Sequence, residues 1–184
     1  KPEEDGALVR KVEGHPNQPP SSEAVEMIGV DVRLPRQSLP SGASVPVIRS
    51  KLHGHRAVRS FDPQRVEYVS LPESYLYYPV SCSTDAQYHA VQEAFLRSEA
   101  LKDPEDPRKL VFTVLPGHGS IIVEKWAEGK QAFQLIWEAM DAGAIEIADD
   151  IPQGPFRFDR VEGRCIMASG LQPREPRGTQ VHAH

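Results

Sequence analysis

Residues 110–148 read LVFTVLPGHGSIIVEKWAEGKQAFQLIWEAMDAGAIEIA, and the fold class turns on this stretch. Leu110 to Leu115 is a β-branched and aromatic run that suits a strand. Pro116-Gly117-His118-Gly119 is turn chemistry, and Ser120 to Trp126 is a second run. Together they predict a hairpin. Phe133, Ile136, Trp137 and Met140 then stand at i, i+3, i+4 and i+7, the spacing of one apolar helix face, with Gly143 positioned to stop the helix. Ile145 and Ile147 alternate with Glu146, so a further strand follows over Ala144 to Ala148.

Upstream, Tyr75-Leu76-Tyr77-Tyr78-Pro79-Val80 is a short aromatic run expected to form a strand with Pro79 near its end. Thr84-Asp85-Ala86-Gln87 matches a capping box, in which the hydroxyl and the amide satisfy each other's orphan backbone donors. Tyr88, Val91 and Phe95 continue at helical spacing, and the helix must end before Pro104. The order β-α-β-β-α-β over about residues 75–150 predicts an α+β fold of the ferredoxin-like, split-βαβ kind, a four-stranded sheet with two helices on one face. Phe156 to Phe158 and Arg164 to Ala168, around Glu162-Gly163, predict an added C-terminal β-hairpin. Tyr88, Val91, Phe95, Phe133, Ile136, Trp137 and Met140 are the expected helix side of a single core.

Seven of the seventeen prolines fall in residues 1–60 and interrupt every short apolar run there. Proline removes an amide donor and biases the preceding residue toward extended backbone, so this segment is expected to be an extended arm without a core of its own. The organisation read from composition is an arm over 1–60, an α+β domain over 61–168 and a polar tail over 169–184. Lys1 in place of a methionine gives the expectation of a processed or trimmed chain, and the compartment stays unread. No stretch approaches the roughly 18 apolar residues of a membrane span, so no transmembrane segment is expected.

Charge is segregated along the chain. Val32 to Phe61 carries Arg33, Arg36, Arg49, Lys51, Arg56 and Arg59 with no acidic residue, whereas residues 61–184 hold twelve basic and nineteen acidic residues, a formal −7. A basic arm on an acidic domain suits an anionic partner or the acidic face of another subunit. The blander alternative folds the arm back on its own domain. The expected function is a non-catalytic accessory subunit of a large multiprotein assembly, with the six basic residues as partner-binding sites and no cofactor. An RNA-associated protein of ribosomal type, using the arm against phosphates, is the first alternative. Base stacking on the sheet is not expected, because Ile121-Ile122-Val123-Glu124 lacks the aromatic pattern of an RNA-recognition strand.

The second alternative is a small enzyme built on Cys82 or on a histidine cluster. Cys82 precedes a helix cap, where the dipole lowers a thiol's pKa, and His89 and His118 are possible bases, but no oxyanion-forming glycines flank it. Cys82 and Cys165 are too few for a disulfide framework and argue for no compartment. His53-Gly54-His55 and His182-Ala183-His184 are two H-x-H pairs whose alternate residues share a face in an extended strand, the arrangement for two imidazoles on one metal. Solvated polar residues are the plainer reading of both. The glycines of Pro116 to Ser120 resemble a phosphate loop without its Lys-Ser/Thr ending and read better as a hairpin turn. Glu138, Asp141, Glu146, Asp149 and Asp150 are expected to face water rather than to form an acid/base pair.

Overall fold

The predicted hairpin is the centre of the molecule. In the computed structural model, which describes residues 28–76, 84–150, 154 and 156–168, strand β6 (Leu110–Leu115) pairs antiparallel with β7 (Gly119–Lys125). Strand β3 (Ile48–Gly54) lies antiparallel on the far side of β7, and β5 (Val66–Tyr68) runs parallel to β6, giving the sheet order β3-β7-β6-β5. A second sheet has the order β8-β4-β10-β9, from β4 (Val58–Phe61), β8 (Ile145–Ile147), β9 (Arg157–Val161) and β10 (Arg164–Ala168). A two-stranded ribbon of β1 (Arg36–Ser38) and β2 (Ser44–Pro46) completes the strands. The helices are α1 (Ile28–Asp31), α2 (Glu73–Leu76), α3 (Asp85–Leu96), α4 (Glu99–Lys102) and α5 (Gln134–Asp141).

Every residue of β6 and β7 is buried, which explains why both read as nearly continuous apolar runs rather than as alternating strands. Val111, Leu115, Ile121 and Val123 face one core with Val91, Phe95 and Leu101 of α3 and α4. Leu110, Phe112, Val114 and Ile122 face a second core with Val58, Phe61 and Ile145 of the other sheet and Ile136 and Ala139 of α5. The two helical stripes therefore serve opposite faces of the first sheet, and the single core expected for them divides in two.

Phe133 and Trp137, expected in that core, are 37% and 51% exposed. Helix α5 starts at Gln134, with Phe133 in its N-cap position at φ 65°, so the inward stripe is Ile136, Ala139 and Met140. A count begun at Phe133 rotates the stripe by a residue. What fixes the start of α5 is Glu124: its buried carboxylate accepts the amides of Phe133 (3.1 Å), Leu135 (2.8 Å) and Ile136 (3.3 Å) and the Ser50 hydroxyl (3.2 Å). A carboxylate at a helix N-terminus satisfies orphan donors and opposes the helix dipole.

The mixed α+β class and the C-terminal β-hairpin are present. The ferredoxin-like order is not completed by the described residues. Its expected first strand begins with Tyr75 and Leu76, which lie in α2, while 77–80 are outside the described residues. Its expected last strand, β8, pairs with β4 rather than with the hairpin's sheet. The arm expected over 1–60 is part of the fold from Ile28 onward, and β3 is an edge strand of the main sheet. Pro35 and Pro40 flank β1, Pro46 is the last residue of β2, and no proline interrupts Val47 to Asp62, so the backbone there is free to pair. The tail over 169–184 is outside the described residues. Among those described, no helix is long and apolar enough to cross a membrane.

Candidate metal centre

Antiparallel pairing sets His53 opposite Ile121 and Gly54 opposite Ser120. One step further along the register, His55 arrives beside the tip of the β6–β7 hairpin, where His118 stands. This close approach needs a glycine at 119: its φ is +145°, and a Cβ there would fall inside the Gly54 carbonyl and within 2.7 Å of the His55 Cα. Ser120 fastens the same crossing by donating its hydroxyl to the Arg56 carbonyl at 2.8 Å.

The crossing brings His53, His55 and His118 together. Their ring centroids are 5.2, 5.0 and 5.1 Å apart, and one candidate ligand nitrogen from each lies within 4.8 Å of the others. His53 Nδ1 is 3.1 Å from the Ser120 carbonyl. A carbonyl can only accept, so Nδ1 carries a proton, and in the neutral form of the ring Nε2 is the atom with the free lone pair. That Nε2 is at hydrogen-bond distance, 3.2 Å, from the Nε2 of His118, so one of the two nitrogens carries a shared proton unless an ion takes its place. Tetrahedral bonds of about 2.0–2.1 Å from zinc to imidazole put ligand nitrogens roughly 3.3 Å apart, so this spacing fits. An Nδ1–H held by a backbone carbonyl is also the usual support of a ligating histidine.

Three imidazoles suit zinc and other divalent transition ions, and three protein ligands leave a coordination position for water or substrate. A cavity of about 370 Å³ touches His53, Gly54 and His55 but not His118, and its apolar lining is on the sheet face of Leu52 and Ile122, opposite to that of His53 and Ile121. Leu52, Ile122, Met140 and Ile147 line it, with Arg56 and Ser120 beside His53 and His55. Among the described residues no carboxylate lines it.

The sequence paired His53 and His55 correctly as neighbours but looked for their partner in His182 and His184, which lie outside the described residues. The sequence pattern at His118 predicts a turn, which is present; its separation of 63 residues from His55 keeps the contact out of any local pattern. The available signal was the conjunction of H-x-H in one segment with a histidine between two glycines in a hairpin tip. Cys82 is outside the described residues, and Cys165 is a half-buried thiol on β10. His89 is exposed on α3, where it lines a separate cavity of about 320 Å³ with Arg33, Gln92, Glu93, Leu96 and Arg97.

The six basic residues of the arm are dispersed over the fold. Arg36 donates to the Ser44 hydroxyl (2.9 Å) and carbonyl (2.6 Å). Arg49 donates to the Lys130 carbonyl and lies 4.4 Å over the Trp126 ring. Lys51 pairs with Asp31, and Arg59 is 3.9 Å from Glu146. Arg33 and Arg56 are exposed and make no ion pair among the described residues. The acidic residues do not converge either. Glu138 is held below the ordinary carboxylate range by hydrogen bonds from Lys130 and Gln134, and Glu146 by the Ser60 hydroxyl, with Arg164 and Arg59 adding to it. Asp141, Asp149 and Asp150 are exposed.

No match to this chain was found among protein-family models, curated proteins or solved structures.

Proposed function

We propose that the chain is a mononuclear metal-binding protein of the open-site kind, with His53, His55 and His118 holding a zinc-class ion and leaving a remaining position for water or substrate. The observation that carries this is the 3.2 Å approach of His53 Nε2 to His118 Nε2, with the His53 Nδ1–H held by the Ser120 carbonyl. Such an ion polarises a bound carbonyl or lowers the pKa of bound water, which makes hydrolytic chemistry the natural class. Equilibrium dialysis of the full chain against zinc tests the reading. One equivalent is expected, with affinity falling more than about 100-fold in His118→Ala, beyond the loss from a merely orienting group. The distant His89→Ala should leave it unchanged. Equal binding by the parent and His118→Ala would remove the site.

A second reading, an accessory subunit that grips neighbouring chains, is supported by the exposed Arg33 and Arg56 and by Phe133 and Trp137 on one side of α5. Exposed aromatics and arginines are enriched at protein contacts. Co-purification with a stoichiometric partner, lost on Trp137→Glu, is the expected result. A partner removed by nuclease instead would favour the RNA-associated alternative.

A further inference from the structure

Val30 and Leu34 are buried in one core with Val91 and Phe95, which anchors the turn between them against α3. Arg33 stands in that turn, its amide donating to the Val30 carbonyl at 3.1 Å. Arg33 shares a cavity of about 320 Å³ with His89, Gln92, Glu93, Leu96 and Arg97. Their spacing of i, i+3, i+4, i+7 and i+8 makes these five one stripe of α3 and its C-cap. Two of the charges cancel: Arg97 pairs with Glu93 at 3.2 Å and also donates to the Ser70 carbonyl at 2.8 Å. Arg33 is exposed and makes no ion pair among the described residues, and His89 is exposed as well. Gln92 is only 6% exposed, and its amide nitrogen has no acceptor among the described residues. A buried donor in that state is uncommon and costs the fold stability. The last torsion of a glutamine side chain is soft, so the amide can turn toward an acceptor that enters the cavity.

We infer that this cavity binds a phosphate group, free or as a small phosphomonoester, with its oxygens divided among the Arg33 guanidinium, the His89 ring and the Gln92 amide. An anion answers an arginine without a carboxylate and an amide without an acceptor. The donors belong to two different elements, so they suit the three spread oxygens of a phosphate better than the two coplanar oxygens of a carboxylate. Glu93, held by Arg97, leaves the remaining charge of the cavity positive. The volume is at the lower limit of small-molecule sites, roughly 300 Å³, and half-buried Leu96 offers an apolar wall to the carbon part of an ester. None of these residues belongs to the histidine centre, so the inference stands apart from the metal reading.

Calorimetric titration of the full chain with inorganic phosphate, glycerol phosphate and acetate tests it. Both phosphates should bind, and acetate should bind more weakly than either. Arg33→Gln should weaken the phosphates about tenfold or more, the effect of losing hydrogen bonds from a charged group, with the melting temperature of the ligand-free chain unchanged. Gln92→Met keeps the shape of the side chain and removes the amide. It should weaken them about fivefold while the ligand-free melting temperature stays level or rises, because the donor it removes has no partner in the fold. A purely structural Gln92 would instead lower the melting temperature and leave phosphate affinity alone, which would overturn its place in the site. Tighter binding of the ester than of inorganic phosphate identifies the ligand as a phosphomonoester, and equal binding identifies it as free phosphate. Acetate bound as tightly as phosphate, phosphate affinity unmoved in both variants, or no binding at millimolar phosphate would overturn the inference.

Discussion

Gly119 matters to the candidate site without being a ligand, because it controls whether the two histidine-bearing segments meet. Gly119→Ala forces the hairpin tip away from Gly54 and His55. Zinc affinity should fall about 10–100-fold, the range for residues that orient metal ligands, as measured by competition with a chromophoric chelator. Gly54→Ala is the control, since nothing lies within 4 Å of a Cβ at that position. The aromatic residues make a second contrast. Phe112 is fully buried against Phe61, Tyr68 and Phe158, so Phe112→Ala should cost about 3–5 kcal/mol in denaturant unfolding. Trp137→Ala should cost about 0.5 kcal/mol or less, as ordinary surface substitutions do. The sequence put both Phe133 and Trp137 in the core because periodicity locates a stripe only as well as it locates the first residue of the helix. Here the start is set by Glu124, ten positions before Gln134 and on another element. His118 was hidden for the same reason: its neighbours are defined by strand register, which a local pattern does not contain.

At the scale of elements, the hairpin, α3, α5 and β8 were legible because each carries its own periodicity, cap or turn. Helix α4 was not, since four residues show no period. It is held from outside at both ends. Glu67 of β5 accepts the Ser98 hydroxyl (2.5 Å) and the amides of Glu99 and Ala100 (3.0 Å each) at its start. Lys125 of β7 donates to the carbonyl of Ala100 (2.7 Å) in its last turn and to those of Asp103 (2.7 Å) and Asp106 (3.3 Å) beyond its end. An anion at one terminus and a cation at the other both oppose the helix dipole. Burial, with Lys109 nearby, lowers the Lys125 pKa to about 8, but the three carbonyl acceptors leave the ammonium well solvated by the protein. Lys125→Met should therefore cost about 3 kcal/mol, through carbonyls left without a donor. Asp106, in the following turn, is held down to about 2 by hydrogen bonds from Arg108. A carboxylate with a depressed folded pKa stabilises the fold above its unfolded value near 3.8 and loses that contribution as pH falls through about 2. Solvent screening keeps the effect near about 1 kcal/mol. Arg108→Gln should flatten the acid limb of stability between those two pH values.

For the whole molecule, the order of the periodic segments predicts the mixed α+β class, and the proline count predicts an arm over 1–60, which is part of the fold from Ile28 onward. Counting prolines over 1–60 averaged a proline-rich stretch with Val47 to Asp62, which contains none and supplies two strands to two sheets. Basic residues there engage the chain itself: Arg59 approaches Glu146, and Arg49 reaches Lys130 and Trp126. Deleting residues 1–60 removes β3 and nearly all of β4, so the melting temperature should drop sharply and an apolar-surface dye should bind. A truncated chain that melts with the parent would return β3 to the status of an arm. The same truncation removes two of the three candidate ligands, which ties the site to the fold. The claim that His53, His55 and His118 share one ion is tested most directly by X-ray absorption at the zinc edge of the loaded full chain. The account predicts nitrogen or oxygen scatterers at about 2.0–2.1 Å, with multiple scattering from three imidazoles. A sulfur shell at about 2.3 Å, or a light-atom shell without imidazole scattering, would contradict it.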